Sequence, residues 1–256
     1  MTRVIKIGGN ELNAPGFVEE LARRVAALAG HGAAERIPLV LVHGGGQDIA
    51  LLQERLHLPV VKVEGLRVTD AESLYVAQMV LSGHTNKLLV KALLAAGIDA
   101  IGLSGIDGGL LRCRKKEHPA ADLGFVGEIV EVRAGLLRGL LQLGLLPVIS
   151  PISLGLDGLT YNVNADEAAG AIALALRADA LDFVSNVPGV LDTRGDPPAR
   201  LPALSAAEAE ALIADGVISG GMIPKVRTAL DAVGRGIPQA RIVDLGGLSD
   251  GGTVFH

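Results

Sequence analysis

"VIKIGGNEL", Val4 to Leu12, sets one lysine inside an apolar run and follows it at once with a glycine pair. A β-branched run ending in glycine reads as a strand that turns sharply. Lysine is seldom fully buried, so Lys6 either lies on an edge strand in water or serves a site that needs its charge. The glycines suggest the second. A turn that leaves a strand's carboxyl end and opens a helix aims backbone N–H groups and the positive helix end at one point, where an anion binds.

Outward from this stretch, short β-branched runs alternate with longer Ala/Leu stretches, the rhythm of βαβ units. Strands are predicted at residues 4–7, 38–42, 98–103, 147–150, 180–185 and 241–243. Helices are predicted at 15–29, 48–56, 134–143, 165–176, 205–214 and 224–234. A longer helix starts at about Asp70 and ends at Gly97, with Thr69 as its expected N-cap and Glu72 three residues on. Its apolar positions run nearly all the way round, a hint of subunit contact. Residues 110–114 and 125–132 are expected to form a hairpin-like insertion whose charged tip, "RKKEHPAADLG", acts as a flap. "TRGDPPAR" is the expected disordered loop. A weakly marked lobe boundary falls near Arg177, dividing 1–176 from 177–256.

Composition narrows the class. Of 256 residues 49% are hydrophobic and only 2% aromatic, so the core is built from Val, Leu, Ile and Ala. With 34 glycines for tight turns, this suits a parallel sheet between Ala- and Leu-rich helices. The single cysteine, Cys113, cannot form an internal disulfide, and no basic-then-apolar leader precedes the first strand, so a cytoplasmic protein is expected. Residues 139–156 run uncharged, but Gln142, Pro147 and Pro151 interrupt them, which reads as a helix end and a buried strand rather than a membrane span. A net charge of −5 argues against non-specific nucleic-acid binding.

Three glycine-rich turns follow predicted strands: "KIGGN", "VHGGGQ" and "LSGIDGG". Neither G-x-x-x-x-G-K-[ST] nor a full dinucleotide fingerprint is present. A second lysine, Lys225 in "SGGMIPK", also follows a glycine pair, at a helix start where its charge opposes the helix dipole. Asp166 in "NVNAD" would orient both lysines and temper their repulsion. Phosphoryl transfer needs little more than in-line positioning, amide donors and cations on the equatorial oxygens.

"KIGGN", "VHGGG", "GLRVTD", "GLSGIDGG", "LGFVG", "YNVNAD", "NVPGVL" and "SGGMIPK" follow one another as in the acetylglutamate kinases of the amino acid kinase superfamily, which the chain resembles along essentially its whole length. The resemblance implies a three-layer αβα sandwich with an open, mostly parallel sheet, an amino-terminal lobe for the acyl amino acid and a carboxy-terminal lobe for ATP with Mg²⁺. It implies phosphoryl transfer to N-acetyl-L-glutamate, in arginine biosynthesis. Lys6 and Lys225 would stabilise the transferring group, Asp166 would organise them, and Gly8, Gly9, Gly44 and Gly45 would supply amides. Arg67 and Asn162, with Gly45, would hold the substrate. Ser185, Asn186, Gly189, Leu191, Gly220 and Met222 would contact the nucleotide, although many family members carry an acidic residue where this chain has Asn186. Arginine-inhibited members have an extra amino-terminal helix. Its lack implies an arginine-insensitive homodimer joined through the long helix after Thr69, with neither nucleic-acid nor membrane partners. Two alternatives stay open: a kinase for 2-aminoadipate or glutamate linked to an acidic carrier protein, with "RCRKKEH" as a basic rim, and a catalytically silent sensor.

Overall fold

A computed structural model describes residues 1–9, 11–30, 37–63 and 66–256; the side chains of Lys62, Leu66 and Arg67 lie outside the description. The first half contributes strands β1 (Arg3–Ile7), β2 (Leu39–His43), β3 (Lys62–Val63), β4 (Leu66–Arg67), β5 (Ala100–Ser104), β6 (Leu111–Lys115) and β7 (Val126–Val132). The second contributes β8 (Leu146–Ser150), β9 (Ile152–Gly155), β10 (Thr160–Val163), β11 (Ala180–Val184), β12 (Leu191–Asp192), β13 (Ala199–Arg200), β14 (Ala203–Leu204), β15 (Ala240–Val243) and β16 (Thr253–Phe255). Helices are α1 (Phe17–Leu28), α2 (Gly46–Arg55), α3 (Ala71–Gln78), α4 (Asn86–Ala95), α5 (Ala134–Gln142), α6 (Ala165–Leu176), α7 (Ala206–Ala214) and α8 (Met222–Gly234).

Eight strands form one sheet in the order β14-β16-β15-β11-β1-β2-β8-β5, parallel except where β16 runs against β15. Strand side chains alternate between faces, and the two faces are covered by different helices. Val4, Val42, Ile149 and Phe183 pack under α5, α6 and α8, whereas Ile5, Ile7, Leu41 and Val148 pack under α1 and α4. This is the expected three-layer sandwich. The sheet runs unbroken past the Arg177 boundary, because β1 pairs with both β2 and β11. Lys6 lies opposite Val42 and Phe183, so it is not on an edge strand.

Four expectations change. Asp70, not Thr69, caps the long helix, its carboxylate accepting from the Ser73 N–H at 2.7 Å. Thr69 is unavailable because its backbone still pairs with the Leu123–Phe125 segment. The helix itself is interrupted by a π turn, Met79–Thr85, between α3 and α4. The insertion is not a lone hairpin: β6 and β7 close with β9 and β10 into a four-stranded barrel. "TRGDPPAR" is ordered as the β12–β13 ribbon, with Asp192 accepting from both the Arg194 N–H and its guanidinium. Among the described residues no helix is long and apolar enough to cross a membrane, and residues 139–156 hold the end of α5 followed by β8 and β9.

Candidate active site

The carboxyl ends of β1, β2 and β11 lie side by side at the centre of the sheet. The chain's direction of winding reverses there, which is where open α/β sheets bind ligands. Their loops, Gly8–Gly9, Gly44–Gly46 and Ser185–Val187, line a cavity of about 570 Å³ together with Lys6, Glu11, Asn164, Asp166, Gly221, Met222 and Lys225.

Lys6 points to the α6–α8 face and is only 5% exposed. A buried ammonium needs an anionic partner, and its Nζ stands 2.8 Å from Asp166 Oδ1. Asp166 is placed by its neighbour. Asn164 caps α6, its side-chain oxygen accepting from the backbone N–H groups of Asp166 at 2.7 Å and Glu167 at 3.3 Å. The cap fixes the first turn, and the first turn fixes the acid. Lys225 enters from the first turn of α8, half-buried. Burial and the nearby Lys6 ammonium push its pKa below the ordinary 10.5, while Asp166 and Glu11 pull it back. Cations and amide donors converging on one cavity are suited to a phosphoryl group whose charge shifts from attacking to leaving oxygen.

The glycines are needed because the two loops touch backbone to backbone. A Cβ on Gly9 would lie 2.6 Å from the amide nitrogens of both Gly45 and Gly46. One on Gly45 would lie 2.7 Å from Leu81 Cδ2, in the π turn. Over Gly8, the Glu11 carboxylate occupies the space a side chain would fill.

Of the residues expected from the sequence, Lys6, Gly8, Gly9, Gly44, Gly45, Asp166, Ser185, Asn186, Met222 and Lys225 converge on this cavity. Asn162, Gly189, Leu191 and Gly220 stand outside its lining. Asn162 lies on β10 opposite Val126, and Gly189 packs against Thr253 with φ 145°. Arg67 pairs through its backbone with Lys62, and its side chain lies outside the described residues. Glu11 and Asn164 were not singled out from the sequence. An Asn two residues before Asp166 at a helix start is a legible N-cap signal, whereas nothing in "GGNEL" shows that Glu11 folds back over Gly8.

Residues 1–244 match the model of the amino acid kinase family. Acetylglutamate kinase of Roseiflexus castenholzii is 55% identical over 99% of this chain and 93% of its own length. That of Methanopyrus kandleri is 44% identical over 99% of both. The solved structure of smu.665 from Streptococcus mutans superposes with a TM-score of 0.82 at 29% identity, covering 99% of this chain and 98% of that one. With fold and sequence in agreement, the chain belongs to the amino acid kinase family and, within it, to the acetylglutamate kinases.

Proposed function

We propose that the protein transfers the γ-phosphoryl group of ATP to the side-chain carboxylate of N-acetyl-L-glutamate. A carboxylate oxygen attacks phosphorus, the bond to the β-phosphate oxygen breaks, and N-acetyl-L-glutamyl 5-phosphate and ADP leave. The observation that carries this reading is the Lys6–Asp166 pair, with Lys225 beside it, facing two glycine loops at the sheet's switch point. The nucleophile arrives already ionised, so no general base is needed, and the cavity supplies cations and amides instead.

In this reading Gly8, Gly9, Gly44 and Gly45 donate amides to the phosphoryl oxygens. Arg67 and Asn162 hold the substrate α-carboxylate, and Ser185, Asn186, Gly189, Leu191, Gly220 and Met222 face the nucleotide. Residues 1–176 carry the amino acid and 177–256 the ATP. Among the described residues no cluster of three His, Cys, Asp or Glu side chains could hold a metal ion. Glu11 and Asp166, the carboxylates lining the cavity, would face a magnesium ion brought in with ATP, which would neutralise charge on the phosphates. The protein works as a cytoplasmic homodimer joined through the α3–α4 helix, where Tyr75 and Met79 are exposed at 67% and 40%.

The carrier-linked alternative calls for a basic rim around the site. On the β6–β7 ribbon Arg114 pairs with Glu128, Lys115 with Asp122 and Lys116 with Glu167. Those charges are already answered within the chain. Incubation with ATP and N-acetylglutamate, 2-aminoadipate or a carrier-linked acid, trapping acyl phosphate with hydroxylamine, tests the reading. Turnover is expected with free N-acetylglutamate, and hydroxamate from the carrier-linked acid alone would overturn the substrate.

A further inference from the structure

Beneath the Gly44–Gly46 loop lies a buried polar pair that the proposed clamp does not use. His43, the last residue of β2, and Asn86, the first of α4, are both 0% exposed. His43 Nδ1 is 3.0 Å from the Gly44 carbonyl oxygen, and its Nε2 is 3.2 Å from Asn86 Nδ2.

The surroundings of Asn86 decide which ring nitrogen carries the proton. Asn86 Nδ2 also lies 2.9 Å from the Val148 carbonyl and 3.4 Å from that of Leu103. Its Oδ1 accepts from Lys87 Nζ at 3.1 Å. A carbonyl only accepts and an ammonium only donates, so both ends of the amide are assigned by their partners. Of the amide's two N–H groups one meets the Val148 carbonyl at 2.9 Å and the other Nε2 at 3.2 Å, the Leu103 carbonyl at 3.4 Å being the longest contact, so Nε2 accepts. The single proton of the neutral ring is left on Nδ1, donating to Gly44. Burial pushes the His43 pKa down to about 4, so the ring stays neutral.

Holding the Gly44 carbonyl matters because a trans peptide is planar, with C=O and the following N–H pointing opposite ways. Drawing the Gly44 oxygen down towards the imidazole turns the Gly45 N–H up towards Gly9 and the cavity. The loop is held elsewhere by the Gly44 N–H on the Ile7 carbonyl at 3.0 Å and by Gly45 against the π turn.

We infer that His43 is a positioning residue for phosphoryl transfer: Asn86 locks it as the Nδ1–H tautomer, and that proton, through the Gly44 carbonyl, aims the Gly45 amide at the transferring group. The inference rests on the function proposed above. Two measurements test it. In ¹⁵N-histidine-labelled protein at neutral pH, His43 should show a protonated Nδ1 and a bare Nε2. A protonated Nε2 overturns the inference without recourse to any variant. In kinetics, His43→Asn, whose amide reproduces the Nδ1–H donor, should keep kcat within about threefold of the wild type. His43→Gln, which lacks that donor, should lose about 30- to 100-fold in kcat with KM changed by less than about twofold. Equal kcat per folded molecule in wild type and His43→Gln, or equal losses in both variants, overturns it. Wild-type protein that forms no acyl phosphate overturns the inference and the proposed function together, whereas an active wild type with an unaffected His43→Gln overturns the inference alone.

Discussion

Strand β1 carries two cations that each meet a buried or half-buried aspartate, and the two clusters behave differently. At its start, Arg3 shares Asp182 with Arg241: Arg241 Nε is 2.7 Å from one carboxylate oxygen and Arg3 Nε 3.4 Å from the other. Arg241 also donates to the Leu248 carbonyl at 2.8 Å and the Gly251 carbonyl at 3.2 Å, and all three side chains are buried. Arg241 ties the 244–252 segment to the sheet, while Arg3 Nε and Asp182 Oδ2, 3.4 Å apart, meet as a buried ion pair without a hydrogen bond. At the other end, Lys6 and Lys225 flank Asp166 and open onto a cavity lined by amide-bearing glycine loops. Among the described residues Lys225 forms no ion pair, although burial and Lys6 already weigh against its charge. Two cations around one carboxylate are thus a structural tie when all three are buried in the protein, and a candidate site when they open onto a cavity.

The largest effect should come from Lys6→Ala. Removing a cation that meets developing phosphoryl charge lowers kcat by about 10³- to 10⁵-fold, while the melting temperature stays within a few degrees, since water from the cavity reaches Asp166. A change confined to KM would place Lys6 in the structural class with Arg3. Next is Gly9→Ala. Its methyl must push the Gly45 and Gly46 amides away, at a cost of about 1–3 kcal/mol in stability, and turnover should fall about 10²-fold because those amides lose their aim. Unchanged turnover would show that the two loops need not touch.

Lys225 sharpens the contrast through pH. Its folded pKa lies below 10.5, so in nucleotide-free protein kcat/KM for ATP should fall as pH rises through that lowered value. The folded state binds fewer protons than the unfolded one in that window, so stability rises with pH there and unfolding cannot explain the loss. Lys225→Arg should lack this alkaline limb, because guanidinium does not deprotonate in the range. The smallest effect belongs to Arg114→Ala on the ribbon, an exposed pair worth at most about 0.5 kcal/mol. Turnover of free N-acetylglutamate should be unchanged, and a raised KM confined to a carrier-linked substrate would reopen the alternative.

How much of this was legible follows the same contrast. Lys6 and Lys225 stood out because a charge in an apolar strand, or at the wrong end of a helix dipole, is conspicuous in one dimension. Arg3, Asp182 and Arg241 did not, because only the pairing of Ile5 with Asp182 and of Asp182 with Arg241 brings them together. The β9–β10 hairpin carries a readable signal, the Asp157–Gly158 turn, which the long uncharged run before it obscured. The π turn has no such signal. Its extra residues suit the close packing of Leu81 and Thr85 on Gly45, a tertiary contact that helical periodicity does not encode. His43 sits inside a motif read for its glycines, and its partner Asn86 is 43 positions away.

The most direct test makes the same chemical change in both clusters: turnover per folded molecule, with melting temperature, for Asp166→Asn and Asp182→Asn. Asp166→Asn should lose turnover by orders of magnitude and melt close to the wild type. Asp182→Asn, which strands two buried guanidinium groups, should lose about 3–5 kcal/mol of stability yet keep near-normal turnover in the molecules that remain folded. The reverse pattern, a destabilised Asp166→Asn that still turns over beside a stable, inactive Asp182→Asn, would contradict the assignment of the two clusters.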